Sequence, residues 1–320
     1  MQNNFQIINK TLAKTPIQVV TLTLNPSLDR MLYTNSLEFG TVIRAGKVYQ
    51  DVGGKGLNVS KALSQLGVDN TAICVLGGDH GNKVNLMLEK DKVNSKILWI
   101  EGETRINTAV FCGDQSIKIN ESGPTPTVQE MQDLQTGIYK EIQPNQIWVL
   151  SGTLLPAMSS DFYITLSHQI TKLGSKAIFD TSGKSLRAVI ESKPFLIKPN
   201  QEEAEEVLNI AIVDISTARK AVLMLLDKGV QNVALSMGEK GLVFGNSEGI
   251  IHFDIPTGIV AKKTIGAGDG LLAGLIYGLV NKFPLSELGK WGVCVGSLST
   301  TFEELKYADL DRTQQLVNTL

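Results

Sequence analysis

The chain has 320 residues, with 30 Lys and Arg against 32 Asp and Glu, so its formal net charge is −2. At about 150 residues per domain, this length fits one large domain with an appendage or two ordinary domains. A composition that is 42% hydrophobic excludes a disordered chain. The weak net charge argues against nucleic acid as the main partner.

The N-terminal region and the cysteines indicate the cellular compartment of the protein. No stretch approaches the ~20 apolar residues that span a bilayer, and the polar start lacks the apolar core of a signal peptide. We therefore expect no membrane contact and interpret residues 1–17 as an N-terminal extension. Cys74, Cys112 and Cys294 form no CxxC pair. Buried structural thiols in a reducing, cytoplasmic compartment are expected.

Strands and helices are predicted to alternate along most of the chain. The predicted elements are, in chain order, strand Gln18–Leu24, helix Asn58–Leu66, strand Thr71–Leu76, a helix opened by the capping box Thr127-x-x-Glu130, strand Ile147–Leu150, a helix from Ser160, strands Lys176–Phe179 and Phe195–Ile197, a helix from Gln201, and strand Asn232–Ser236. This order indicates a mostly parallel sheet that is covered by helices on both faces.

Two clusters of short strands, near 31–52 and 105–121, do not fit this alternation. The second cluster turns at Gly113-Asp114. We place both clusters together as a small antiparallel sheet beside the main domain.

A glycine-rich segment near the C-terminus, Thr264-Ile-Gly-Ala-Gly-Asp269-Gly, leads into the apolar stretch LLAGLIYGLV. Free backbone N–H groups at a helix start bind anions. Small residues at Gly266, Ala267 and Gly268 would let a phosphate approach the backbone. Asp269 adds negative charge where an anion would bind, so the alternative is a helix N-cap in a glycine turn. The chain completes neither a P-loop nor a GxGxxG motif.

A second glycine segment, Asp51-Val-Gly-Gly-Lys-Gly-Leu-Asn58, also leads into a helix. Lys55 supplies a point charge suited to a phosphate, and Asn58 can donate to and accept from hydroxyl groups. A surface turn with a solvated lysine explains the same pattern equally well.

Asp29 and Arg105 are isolated candidates. Asp29 follows the C-terminal end of the first strand, where open α/β sheets bind ligands. Arg105 lies at the edge of the small sheet and is suited to bidentate phosphate recognition. A lone exposed arginine is, however, usually only solvated.

The segment Lys198-Pro-Asn200-Gln-Glu-Glu203 has two interpretations. Asn200 as N-cap with Glu203 as its N3 partner forms a capping arrangement, which the spacing favours. A carboxylate at Glu203 could instead hold a hydrated Mg²⁺. The later segment from Ser236 to Gly241 is a strand end with a two-glycine turn, which a plain hairpin also explains.

Taken together, these segments resemble a known family. Gly53-Gly-Lys-Gly-x-Asn58 and Gly266-Ala-Gly-Asp269 resemble the two signatures of the ribokinase-like sugar kinases, and the resemblance extends over residues from about 18 to 315. The segments TLNPSLD (23–29), TRIN (104–107) and KPN (198–200) are similar to the branch of bacterial 1-phosphofructokinases and tagatose-6-phosphate kinases. The residues TRIN are more similar to the 1-phosphofructokinases than to the tagatose-6-phosphate kinases.

The resemblance implies a three-layer α/β/α domain over 18–315 with a mostly parallel central sheet and a small β-sheet lid formed by about 31–52 and 105–121. It implies ATP and Mg²⁺ as cofactors and a small-molecule sugar phosphate as substrate. It also implies a homodimer that is joined through the lids.

The resemblance further implies roles for individual residues. Asp269 is the expected catalytic base, and Gly266, Ala267 and Gly268 form the expected anion hole for the transferred phosphoryl group. The residues expected to bind the sugar phosphate are Asp29, Gly53, Gly54, Lys55, Asn58 and Arg105, with Lys55 and Arg105 at its existing phosphate. The residues expected on the nucleotide side are Lys198, Asn200, Glu203, Ser236, Gly238, Gly241 and Gly268, with Glu203 holding Mg²⁺ through water.

The implied activity is the ATP-dependent phosphorylation of D-fructose 1-phosphate to D-fructose 1,6-bisphosphate. Tagatose-6-phosphate kinase is the first alternative. The second is a non-catalytic sugar-phosphate or nucleotide sensor, against which an intact Asp269 argues. A ribose or nucleoside kinase is a further alternative. Lys55 and Arg105 argue against it, because an unphosphorylated sugar needs no second phosphate clamp.

The pKa of the expected base poses a chemical question. An ordinary Asp has a pKa near ~3.9, and a helix N-terminus is expected to lower the pKa of Asp269 further. Such a group is a poor base for a free alcohol. Phosphoryl transfer relaxes that demand, because the nucleophile loses its proton late in a loose transition state.

Overall fold

The fold is taken from a computed structural model that describes residues 17–113, 115–262, 264–302 and 305–320. The strands in these ranges are β1 (Gln18–Thr23), β2 (Ser27–Tyr33), β3 (Lys47–Gly53), β4 (Asn70–Leu76), β5 (Ser95–Trp99), β6 (Arg105–Cys112), β7 (Gln115–Asn120), β8 (Gln146–Ser151), β9 (Lys176–Asp180), β10 (Leu196–Ile197), β11 (Asn232–Ser236), β12 (Leu242–Asn246) and β13 (Gly249–Phe253). The α-helices are α1 (Lys55–Gln65), α2 (Gly78–Lys90), α3 (Val128–Lys140), α4 (Asp161–Lys172), α5 (Gly183–Glu191), α6 (Gln201–Leu208), α7 (Ile215–Asp227), α8 (Ala267–Val280), α9 (Leu285–Ser299) and α10 (Leu310–Val317).

The main sheet has the strand order β13-β12-β11-β10-β9-β8-β1-β4-β5. The pairs from β11 to β5 are parallel, and β12 and β13 add an antiparallel hairpin at one edge. The predicted mostly parallel sheet is therefore confirmed.

Helices cover both faces of this sheet, because alternate strand residues point to opposite sides. Leu22, Leu150 and Phe179 lie in one core together with helices α3 to α7. Val19 and Val149 lie in the other, with α1, α8, α9 and α10. The three-layer α/β/α arrangement predicted from the resemblance is thus present.

The small sheet has the order β3-β2-β6-β7, and we call these four strands the lid. Its strands extend the predicted segments: β2 begins at Ser27 and β3 ends at Gly53. The predicted antiparallel pairing is wrong for the central pair, since β2 and β6 are parallel. Both strands leave the same edge of the main sheet, β2 after β1 and β6 after β5, so they run in one direction. Asp114 of the predicted turn, and residues 1–16 of the predicted N-terminal extension, lie outside the described residues.

The three cysteines are free thiols in the structure, and the predicted burial holds for two of them. Cys74 and Cys294 are buried, and burial raises the pKa of each thiol to about 12. Cys112 is half-buried at the end of β6 in the lid. Within the described ranges, no helix combines the length and apolar character that crossing a bilayer requires.

Candidate active site

Three strand ends form the floor of a polar site at the carboxyl edge of the main sheet. Ser151 at the end of β8 pairs with Asp180 at the end of β9, and Thr23 ends the neighbouring strand β1. The hydroxyl oxygens of Thr23 and Ser151 are buried. Neither forms a hydrogen bond with another described residue. Buried polar atoms are normally paired. These two hydroxyls can therefore bond to polar groups from outside the chain, water included.

Two helices begin over this floor, α1 at Lys55 and α8 at Ala267. Asn58 on α1 donates from Nδ2 to Oδ2 of Asp269 on α8, 2.8 Å away. Asp269 is only 7% exposed. Gly266 precedes α8 with φ of 86°, a left-handed conformation that places the first turn of the helix toward the site. The two predicted signature segments therefore meet at Asn58 and Asp269.

The pKa of Asp269 departs from the expectation for a helix N-terminus. Burial, together with the nearby charge of Asp180, raises the pKa of Asp269 to about 6. The hydrogen bond from Asn58 and the charges of Lys55 and Lys198 act in the opposite direction. Burial thus outweighs the helix N-terminus, and the carboxyl becomes a better base near neutral pH.

Asp180 was not predicted as a site residue, yet its carboxylate contacts two predicted ones, Lys55 and Lys198. Its side chain is fully buried. Its Oδ1 lies 2.9 Å from Lys55 Nζ, and its Oδ2 lies 3.3 Å from Lys198 Nζ. Burial opposes the ionised form of Asp180, but the charges of Lys198 and Lys55 prevail and lower its pKa. An aspartate directly after a buried strand, in Phe179-Asp180, was the sequence signal available for it.

The anion-hole residues stand at the start of α8. Lys198 Nζ lies 3.4 Å from the position that a Cβ on Gly268 would occupy, so the ammonium group approaches the backbone closely there. The Ala267 N–H donates to the Thr264 carbonyl at 3.2 Å. A phosphoryl oxygen at this helix start would therefore depend on the amides of Gly266 and Gly268 more than on that of Ala267.

On the lid side, Asp29 is held by two neighbours. Ser27 Oγ donates to Asp29 Oδ1 at 2.6 Å, and Asn107 Nδ2 donates to the same oxygen at 3.1 Å. Burial raises the pKa of Asp29, against the effect of these bonds. A Cβ on Gly53 would overlap the Asp29 carboxylate. Asn107, the last residue of the TRIN segment, was not predicted as a site residue.

Gly54, the next glycine, has φ of 132°, and a Cβ there would lie 2.8 Å from Cγ2 of Thr23. Its conformation lets β3 turn directly into α1 above the end of β1. The structure therefore explains Gly54 through packing, and its predicted contact with the sugar stays a prediction.

Arg105 points its guanidinium at backbone carbonyls. Nη2 donates to the Asn25 carbonyl at 2.9 Å, Nη1 to the Glu121 carbonyl at 3.1 Å, and Nε to the Pro26 carbonyl at 3.4 Å. Lys55 instead binds Asp180. The predicted contacts of Lys55 and Arg105 with the phosphate of the substrate stay predictions. Two of the five guanidinium N–H donors of Arg105 remain beyond these three bonds.

The predicted nucleotide residues lie along the same edge. Asn200 and Glu203 form a complete capping box at the start of α6: Oδ1 of Asn200 accepts from Glu203 N at 2.8 Å, and Glu203 Oε2 accepts from Asn200 N at 2.9 Å. Ser236 N donates to the Pro199 carbonyl at 3.0 Å. The turn between Gly238 and Gly241 links β11 to β12, so this segment is also a hairpin.

A cavity of about 680 Å³ lies under the lid. Asp29 and Asn107 line it from the lid, and Ile265 lines it beside the start of α8. A volume of this size accommodates a small ligand.

Comparison with known proteins decides the family. The model of the pfkB family of carbohydrate kinases matches residues 22–308. The chain belongs to the pfkB family of carbohydrate kinases. It is accordingly a phosphotransferase, and the match contains both glycine segments.

Two relatives and one solved structure illustrate the similarity. A 1-phosphofructokinase of Borreliella burgdorferi is 32% identical over 279 residues, which cover 87% of this chain and 90% of the relative. A tagatose-6-phosphate kinase of Staphylococcus epidermidis is 30% identical over 301 residues, covering 93% and 97%. The phosphofructokinase-2 from Escherichia coli in complex with substrates and products superposes with a TM-score of 0.89 at 28% identity, covering 95% of this chain and 99% of that one.

Proposed function

We propose that this kinase phosphorylates D-fructose 1-phosphate to D-fructose 1,6-bisphosphate with ATP as the phosphoryl donor. The observation that carries the proposal is the buried Asp269, hydrogen-bonded to Asn58 at the start of α8 and beside two lysines that share Asp180. A base, a helix start and ammonium groups at one point are what phosphoryl transfer to an alcohol requires.

In the proposed mechanism, Asp269 accepts the proton of the attacking hydroxyl while Asn58 fixes the orientation of the carboxylate. The amides of Gly266 and Gly268, together with Lys198, stabilise charge on the transferred group. One lost donor at such a position costs about 10²–10³ in rate. ATP supplies the phosphoryl group. The lid excludes water from the cavity, which limits hydrolysis of ATP.

The residues at the start of α6 also fit a Mg²⁺ ion that is held through water. Mg²⁺ prefers oxygen ligands and retains several waters, bound through one or two carboxylates and the phosphates. Glu203 engages Oε2 in the helix cap, which directs its carboxylate to a fixed position. Among the described residues, no group of three or more acidic, His or Cys side chains is placed to hold a metal ion by itself. Glu203 would therefore hold the hydrated ion through water, as we propose.

The named relatives support fructose 1-phosphate as the substrate, and they equally support tagatose 6-phosphate as an alternative. One relative is a 1-phosphofructokinase and another a tagatose-6-phosphate kinase, at 32% and 30% identity. Tagatose 6-phosphate is therefore the second candidate substrate, with the same mechanism. The non-catalytic sensor is disfavoured by the intact Asp269–Asn58 pair, because a sensor needs no base.

We also propose that the domain spans 18–315 and forms a homodimer through the lid. Apolar side chains on the lid and on its β2–β3 connection are exposed: Ile119 on β7 at 60%, and Phe39 and Val42 in the connection at 96% and 82%. Exposed apolar side chains of this size, where they form a patch, mark an interaction site. We propose in addition that the protein is located in the cytoplasm.

The test is ATP turnover on fructose 1-phosphate, tagatose 6-phosphate, fructose 6-phosphate and ribose. We expect kcat/KM for fructose 1-phosphate to exceed that for the others at least tenfold, about 1.4 kcal/mol in transition-state binding. Preference for tagatose 6-phosphate would retain the mechanism and change the substrate. Nucleotide binding without turnover of any sugar would favour the sensor.

A further inference from the structure

Asp180 is the point at which three separate elements of the site are joined. It ends β9, and its carboxylate contacts Lys55 at the start of α1 and Lys198 just after β10. The side chain has no exposure to solvent, and that of Lys198 has 5%. Charged side chains are almost never buried to this degree unless they are paired.

The two lysines come from different elements and lie near different groups of the site. Lys198 Nζ approaches Gly268 in the first turn of α8. Lys55 begins α1, one turn before Asn58, whose amide binds Asp269. Asp180 therefore fixes one ammonium group beside the anion-hole loop and another beside the base.

The charges in this cluster are unequal. One carboxylate serves two ammonium groups, so the Asp180 cluster carries a surplus positive charge. Ionised Asp269 balances that charge in the absence of ligand. When a phosphoryl group brings its own negative charge to the site, the two ammonium groups are already in place and need little reorganisation.

We propose that Asp180 is a positioning residue for phosphoryl transfer, which holds the ammonium groups of Lys55 and Lys198 beside the transferred group. The proposal rests on the proposed kinase activity of this site. Asp180 touches neither substrate; it acts through the two lysines. It is distinct from Glu203, which we place with the metal ion.

The same arrangement has an electrostatic consequence at the base. The charge of Asp180 contributes to the raised pKa of Asp269. The other groups that face Asp269 are Lys55 from α1, Lys198 from the segment after β10 and Tyr307 from the C-terminal segment. Removal of the Asp180 charge should lower the pKa of Asp269, so the acid limb of the activity profile should move to lower pH.

The first test compares Asp180→Asn with the wild type, with Asp227→Asn on the exposed end of α7 as the matched control. We expect kcat of D180N to fall about 10²-fold, with its acid limb displaced to lower pH, while binding of a non-hydrolysable ATP analogue changes by less than about threefold. D227N should behave as the wild type. An unchanged kcat, or a loss that excess Mg²⁺ restores, would overturn the proposal; the latter would make Asp180 a metal ligand.

The second test is a double-mutant cycle, which measures whether Asp180 acts through a lysine. In a Lys55→Met background, D180N should reduce kcat by less than it does in the wild type. Equal factors in both backgrounds would contradict the inference. If D180N does not fold, Asp180→Glu replaces it: it should retain the acid limb of the wild type and lose less activity than Lys55→Met.

These experiments separate two failures. If the wild type phosphorylates no sugar on the panel, the proposed function is wrong. If the wild type is active and D180N is equally active, only the inference about Asp180 is wrong.

Discussion

At the scale of single residues, the chemistry depends on how burial changes Asp269. The sequence predicts a pKa of Asp269 below the ordinary value, because the residue lies at a helix N-terminus. The structure buries the carboxyl beside Asp180, and its pKa rises to about 6. The free enzyme then needs pH above about 6 for the base to be ionised.

This predicts the consequences of Asp269→Asn. Asparagine retains the shape and an acceptor for Asn58 but cannot accept a proton, so kcat should fall about 10²–10⁴-fold. Binding of a non-hydrolysable ATP analogue, measured by calorimetry, should change little. In the wild type, kcat/KM should decline as pH falls through about 6. Near-normal turnover by D269N would exclude Asp269 as the base.

Arg105 gives a second prediction at this scale. We expect Arg105→Ala to raise KM for the sugar phosphate at least tenfold and KM for ATP less than twofold, because two N–H donors remain for a phosphate. It should also lower the melting temperature, since three bonds to backbone carbonyls are lost. Steady-state kinetics and thermal unfolding measure the two effects separately. Equal effects on both KM values would refute the placement at the substrate.

At the scale of elements, the start of α6 combines a helix cap with a proposed metal contact. Glu203→Gln separates the two roles, because glutamine also serves at N3 of a capping box while it removes the charge. We expect unchanged thermal stability and about a 10–100-fold rise in the Mg²⁺ concentration for half-maximal activity.

The matched control is Glu130→Gln in the other Glu-containing capping box, Thr127–Glu130 at the start of α3. It makes the same chemical change in the same motif, away from the site. If E203Q has the Mg²⁺ requirement of E130Q, Glu203 is a capping residue only.

The element scale also shows what sequence patterns can and cannot predict. The capping boxes at Thr127 and Asn200 were readable because both partners lie within four residues. Helix α2 was not predicted. It begins at Gly78 without a side-chain cap of its own, and its first amides, from Asp79 and His80, donate to the Glu103 carboxylate far along the chain.

The same distinction applies to the site. Asp269 and Asn58 stand in glycine segments with a recognisable spacing, and the structure brings them together. Asp180 stands in no motif, because its position depends on the pairing of β8 with β9 and on two lysines far away in sequence. Contacts between such distant segments follow from the sheet order, which local patterns do not contain.

At the scale of the whole molecule, the proposed dimer places the exposed apolar side chains of the lid against a second copy. Ile119 lies on β7, an edge strand of the lid. Ile119→Lys should weaken association, because a charge on an edge strand opposes pairing with another chain. We expect a dimer for the wild type and a monomer, or at least tenfold weaker association, for I119K in light scattering.

Val128→Lys is the control for that experiment, since Val128 is 68% exposed at the start of α3, outside the lid. It should remain dimeric. A monomeric wild type, or an I119K variant that associates as well as V128K, would contradict the lid interface.

The cysteines have a practical consequence for observing the lid. Only thiolates react readily with alkylating dyes, and the thiols of Cys74 and Cys294 are buried with pKa values of about 12. Cys112 is the remaining thiol of the three in the sequence and sits at the end of a lid strand. The natural chain therefore carries its own attachment point for a fluorescent reporter. A dye on Cys112 would follow lid closure in real time without any substitution.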